Sequence, residues 1–186
     1  MRSEKLGLDG LLLIHGHRFH DDRGFFSETY SAKKYLFELG IPAFVQDNLS
    51  HSKLNVFRGM HWQKNPQAQG KLVTCVLGSI TDFVIDIRKS SPTFGQMVTV
   101  PLSDKELTSV WVPPGFAHGF LSTSEGAIVQ YKVTEFWAPD HEASLCLEAK
   151  ELERYSLKPE QLILSKKDAE APLFAELVVS GDSLFE

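Results

Sequence analysis

The chain has 186 residues, 42% of them hydrophobic, which suits one domain over 1–186 with one sizeable core. It sets 19 Lys and Arg against 24 Asp and Glu, a formal charge of −5. No global basic field is available to hold nucleic acid or an acidic membrane, so an anionic ligand must be met by a local cluster of cations.

In chain order, "MRSEKLGLDGLLLIHGH" offers only an apolar run broken by Gly and His, too brief for a secretory h-region or a membrane span, and a cytoplasmic protein is expected. "SAKKYLFELG" (31–40) has a Ser cap candidate, apolar residues at helical spacing and a terminal Gly, which predicts one short helix. "KLVTCVLGSITDFVIDIR" is two β-branched runs joined at Gly78-Ser79, which predicts a hairpin. Further strands are expected in "GQMVTVPL", "TSVWVPP" and "HGFLSTSEGAIVQYKVTEFW". A second short helix is expected in "DAEAPLFAEL", within a helical or irregular C-terminal appendage over about 150–186. Strands this short, with turn signals about every ten residues, indicate an antiparallel sandwich or barrel. Cys75 and Cys146 show no CxxC spacing and sit in apolar runs, as reduced core thiols do.

Two separated histidines, His61 in "FRGMHWQ" and His118 in "PPGFAHGF", raise the question of a metal. A metal-binding cupin barrel supplies HxH and a nearby glutamate from one strand pair, then a third histidine from a PxGxxH turn, because three or four ligands must converge on one ion. Pro113, Gly115 and His118 keep the second half of that pattern, but His61-Trp62-Gln63 lacks the partner histidine and "KNPQAQGK" lacks the glutamate. No metal and no cofactor are expected, and the histidines are read as acid/base or hydrogen-bonding groups.

The segments "DDRGFFSETY", "FVQDNLSHS", "FRGMHWQ", "PQAQGKLV", "DFVIDIRKSSPTFG", "PPGFAHGF", "YKVTEFWAPDHE" and "LSKKDAEAP" resemble, in order and spacing, the dTDP-4-dehydrorhamnose 3,5-epimerases, over about residues 18 to 172. The resemblance implies an all-β, antiparallel cupin/jelly-roll barrel with a few short peripheral helices. It also implies cofactor-free inversion at C3 and C5 of a nucleotide-linked 4-keto-6-deoxyhexose. Inverting a carbon beside a ketone needs a base, a stabiliser for the enolate oxygen and an acid on the opposite face. An imidazole near its usual pKa of about 6.5 is neutral yet basic at cell pH, which suits His61 as base. By resemblance Asp168 orients it, Lys71 stabilises the enolate and Tyr131 returns the proton. Taken alone, "SKKDA" reads as a solvated loop, Lys71 as a solvated strand end and Tyr131 as core.

The nucleotide end needs cations and an aromatic platform. Arg58 and Arg23 suit the diphosphate, since guanidinium forks match phosphate oxygens, although either could be a surface ion-pair partner. By resemblance Glu28, Gln46, Asp47, Asn48, Glu142 and Lys167 also bind substrate, His118 bonds the sugar or the catalytic network, and Trp137 stacks on the nucleobase. Gly59 is read as admitting the substrate. Met60 and Trp62 stand where leucine and tyrosine are usual, and are read as reshaping the pocket wall beside the base; "SLCLEAKELERYSL" lacks the tryptophan-rich character many members show there. Two functional alternatives stay open: inversion at C3 or C5 alone, or a cupin that binds sugar nucleotides without catalysis. A homodimer is expected, with exchanged N-terminal strands as in the resembling enzymes and Arg23 or Glu28 serving the neighbour's pocket.

Overall fold

The computed structural model describes residues 2–155, 157–181 and 184–185. A six-stranded antiparallel sheet runs in the order β1 (Arg2–Lys5), β2 (Leu12–His15), β10 (Thr108–Val112), β7 (Lys71–Leu77), β12 (Gly126–Val133), β5 (Gln46–Lys53). A five-stranded sheet runs β13 (Glu142–Ser144), β6 (Phe57–Gln63), β11 (Phe116–Ser122), β8 (Ser79–Asp86), β9 (Met97–Ser103), and β3 (Phe19–Asp21) with β4 (Gly24–Phe26) forms a separate hairpin. The result is the antiparallel cupin-like jelly roll that the sequence leads one to expect.

Period-two alternation gives each strand two faces with different partners. Val73, Cys75, Val110, Val112, Ala127 and Val129 of the first sheet meet Ile80, Val84, Val100, Leu102, Phe116 and Phe120 of the second in one inner core. Burying each of the larger side chains contributes about 1.5–3 kcal/mol. On the outer face of the five-stranded sheet, Phe57, Met60, Trp62, Phe83, Ile85 and Leu121 are covered by Leu145, Leu147, Leu152 and Leu177 of the C-terminal segment. On the outer face of the other sheet, Ile14, Leu72 and Trp111 pack under Tyr35 of α1 (Ala32–Leu39) and under Ile41.

Helix α1 falls where its pattern predicts, closed by Gly40 at φ 68°, a left-handed cap whose N–H donates to the Leu36 carbonyl. Ser31 precedes it without a side-chain cap bond. The helix expected in "DAEAPLFAEL" is instead two, α3 (Lys166–Ala169) and α4 (Phe174–Ser180), following α2 (Ala149–Arg154). Pro172 separates them: it has no N–H to donate, and its carbonyl accepts from the Cys146 backbone N–H at 2.9 Å.

The expected hairpin at Gly78-Ser79 does not form. Strands β7 and β8 belong to different sheets, and the chain crosses between them at Gly78. Gly78 has φ 76°, and a Cβ there would lie 2.3 Å from the Gly126 carbonyl oxygen, so the crossing demands glycine. Alternation tells which face each strand buries but not which strand it pairs with; here the two inner faces meet across the core.

Candidate active site

A cavity of roughly 480 Å³ lies between the sheets, and residues from both line it. Strands β5, β7 and β12 bring Gln46, Asn48, Ser50, Lys71 and Tyr131; strands β6, β11 and β13 bring Arg58, His61, His118 and Glu142. The C-terminal segment adds Ser165, Lys167 and Asp168, and Trp137 stands beside them.

His61 is placed by β6, whose Phe57, Met60 and Trp62 turn outward into the covered core. Gly59 has φ 122°, and a Cβ on it would meet the Gly119 Cα at 2.6 Å and the His118 carbonyl oxygen at 2.8 Å. That glycine therefore serves the close approach of β6 to β11 rather than substrate entry. Met60 lies in the outer cluster, not on the pocket wall, while Trp62 packs in that cluster and also borders the cavity. The β6–β11 register sets His61 directly opposite His118.

His61 Nε2 lies 2.5 Å from Asp168 Oδ1. Asp168 is 4% exposed and sits on α3, where its backbone N–H donates to the Ser165 hydroxyl oxygen at 3.1 Å, so the N-cap of a four-residue helix fixes the carboxylate. Accepting from Nε2–H, the carboxylate leaves the other ring nitrogen with its lone pair. Burial pushes the His61 pKa below the usual imidazole value; Asp168 opposes this and Lys71 adds to it. A lowered pKa favours the uncharged ring, the form a general base needs.

Lys71 donates to the His61 carbonyl oxygen at 3.0 Å, and its pKa is pushed down to about 8 by burial, against the pull of Glu142 and Asp82. Tyr131, on the neighbouring strand, is raised by burial while the Arg58 cation draws it back. Arg58 Nε donates to Ser52 Oγ at 2.9 Å and Nη2 to the His51 carbonyl at 3.1 Å, which orients the guanidinium at the cavity. Lys167 pairs with Glu142 at 2.5 Å.

Eleven of the residues singled out from sequence therefore line one cavity: His61, Lys71, Tyr131, Asp168, Gln46, Asn48, Arg58, His118, Trp137, Glu142 and Lys167. Three lie elsewhere. Asp47 alternates to the outer face of β5 and pairs with Lys132 at 2.7 Å. Arg23, on the exposed hairpin, pairs with Asp21 at 2.5 Å, and Glu28 pairs with Lys34 at 2.5 Å beside a second cavity.

Sequence reasoning missed Asp82. It is fully buried on the inner face of β8, with Oδ2 2.8 Å from His118 Nε2 and Oδ1 unpartnered. Burial raises its pKa, against His118 and Lys71. The signal was available: an aspartate in phase with the apolar Ile80 and Val84 of "SITDFVID" cannot sit on a core face without a partner. Among the described residues no three of His, Cys, Asp and Glu are grouped so as to hold a metal ion.

A sequence model of the family described as dTDP-4-dehydrorhamnose 3,5-epimerase matches residues 5–176. The chain is similar to the dTDP-4-dehydrorhamnose 3,5-epimerases of Salmonella typhimurium, 44% identical over 180 residues, and of Pseudomonas aeruginosa, 42% identical over 177 residues; each match covers 95% of this chain and 97% of the relative. Its structure resembles that of the Legionella pneumophila dTDP-6-deoxy-D-glucose-3,5-epimerase in complex with dTDP-4-keto-L-rhamnose. There the TM-score is 0.91 at 41% identity, covering 100% of this chain and 97% of that one.

Proposed function

Because this chain belongs to the dTDP-4-dehydrorhamnose 3,5-epimerase family and is an isomerase, we propose that it inverts C3 and C5 of dTDP-4-dehydro-6-deoxy-D-glucose to give dTDP-4-dehydro-L-rhamnose, with the residues of this cavity. The observation that carries the reading is that His61, held by Asp168, and Tyr131 line one cavity from opposite sheets. That is what inversion requires, since the proton leaves one face of the carbon and returns to the other.

Neutral His61 takes the proton beside the ketone, and the C–H electrons flow to the carbonyl oxygen as an enolate. The Lys71 ammonium stabilises that oxygen where little water screens it. Asp168 stabilises the imidazolium that His61 becomes. Tyr131 then gives its phenolic proton to the opposite face; both groups return to their resting states by proton exchange, and the same set serves the second carbon. Arg58 holds the diphosphate, Trp137 offers its ring to the base, and Gln46, Asn48, Glu142, Lys167 and His118 contribute polar contacts to the remainder of the substrate.

The pH dependence follows from the two shifted groups. His61 has a lowered pKa and acts as neutral base, so kcat/KM should fall on the acid side only below the usual imidazole range. Lys71 acts as cation and loses its proton near about 8, so the rate should fall again above that pH. A bell-shaped profile is the expected outcome, and a rate still climbing at pH 10 would contradict the Lys71 assignment.

We further propose a homodimer. Arg23 and Glu28 lie outside their own chain's cavity, and the hairpin that carries Arg23 leaves Phe19 57%, Phe25 53% and Phe26 68% exposed. These rings and the Arg23 cation suit insertion into a second copy, where Arg23 can join Arg58 at the diphosphate. Light scattering at micromolar concentration should give twice the chain mass of 20.9 kDa, and a monodisperse monomer would contradict it.

A further inference from the structure

The strand that carries the base ends in Gln63, which the mechanism does not use. Gln63 is 3% exposed, and every polar group of its amide is engaged. Its nitrogen donates to the carbonyls of Gln67 at 2.7 Å and Phe136 at 3.1 Å, and its oxygen accepts from the Ala138 N–H at 2.9 Å. Two more glutamines act on the same stretch. Gln46 accepts from the Trp137 N–H at 3.2 Å, and Gln69 donates to the Glu135 carbonyl at 2.7 Å. One backbone group on each of four consecutive residues, 135–138, is thus tied by a glutamine side chain, although the stretch has neither helix nor strand of its own. At its centre Trp137 is 61% exposed and its ring borders the cavity.

We infer that Gln63 is a positioning residue whose amide clamps the 135–138 stretch so that the Trp137 ring stands ready to receive the substrate's nucleobase. The inference rests on the reading of Trp137 as the base platform. With its donors and its acceptor committed to the backbone of Gln67, Phe136 and Ala138, Gln63 acts on the substrate through the stretch that presents Trp137. A loop free to move would lose ordering entropy on each binding event; a clamped one loses little, and the difference appears in affinity rather than in the chemical step.

The test is a double-mutant cycle on the full-length protein with Gln63→Met and Trp137→Ala, read by calorimetric titration with dTDP and by steady-state kinetics. Each single variant is expected to weaken dTDP about tenfold, the scale of one base–aromatic stack, and Gln63→Met, whose side chain touches no substrate, should keep kcat at saturation within about twofold. The double variant should bind no more weakly than Trp137→Ala alone, because the clamp serves only that ring. A dTDP affinity unchanged in Gln63→Met, losses that multiply in the double variant, or a kcat that falls with kcat/KM would overturn the clamp while leaving the platform standing. Unchanged affinity in Trp137→Ala would instead remove the platform, and the inference with it. Should Gln63→Met fail to fold, Gln69→Met, which loses one bond to the same stretch, must weaken dTDP with kcat retained, or the inference fails.

Discussion

Replacing His61 by Asn is expected to lower turnover by roughly two to four orders of magnitude, the scale for losing a general base, while the protein stays folded. His61 is only partly buried and belongs to none of the three apolar clusters, so its removal should leave the packing of Met60 and Trp62 behind it untouched. Asparagine retains an amide that can still donate to Asp168 but cannot take a proton from carbon. Asp168→Asn should cost at least two orders of magnitude through the same ring, because an amide at that position neither fixes the tautomer nor balances the imidazolium. Steady-state rates with near-ultraviolet circular dichroism as the control for folding decide both. A folded His61→Asn protein with full activity would remove His61 from the mechanism.

Lys71→Met is expected to separate activity from stability. Turnover should fall by about two to three orders of magnitude, since the enolate oxygen loses its only proposed cation in the reacting part of the cavity. Thermal stability should move the other way. The folded-state pKa of Lys71, about 8, lies below its ordinary 10.5, so the folded protein disfavours the charged form. That cost is present in full below pH 8 and fades as the pH rises towards 10.5, where the unfolded chain also loses the proton. Lys71 is only partly buried at the open cavity, which discounts that cost, and the bond to the His61 carbonyl is lost on substitution, which leaves a net gain of about 1 kcal/mol near neutral pH. In a chain of this length that is about 2–4 °C in Tm. Melting curves at pH 7 and pH 10 check the sign: the gain should shrink at the higher pH. A Tm lowered at both would mean that the ammonium stabilises the fold.

How much of this was legible in the sequence depends on the range of the contact. Period two located the strands, and the same alternation put Tyr131 with Val129 towards the interior, whereas Lys71, at a strand end, was placed there only by the resemblance. It could not assign partners: the turn at Gly78 looks like a hairpin because glycine at positive φ serves a crossing between sheets as well as a tight turn. Asp168 reaches His61 across 107 residues from a stretch with no apolar period, so only the resemblance pointed to it. Glu28 was named on the same ground and Arg23 for its guanidinium, and both lie outside the cavity of their own chain. Asp82 and Gln63 were readable in principle, one as a carboxylate on a core face and the other as a polar residue ending an apolar strand. Their roles depend on which atoms they meet, His118 in the first case and the 135–138 backbone in the second, and no local pattern encodes that.

Proton transfer at two carbons by one set of side chains is the central claim, and proton NMR of dTDP-4-dehydro-6-deoxy-D-glucose with the protein in deuterated water, without added metal, tests it most directly. Deuterium should enter at both C3 and C5, and His61→Asn should suppress exchange at both. Exchange at one carbon alone would contradict double inversion and make this chain a mono-epimerase, and no exchange at either would contradict catalysis on this substrate.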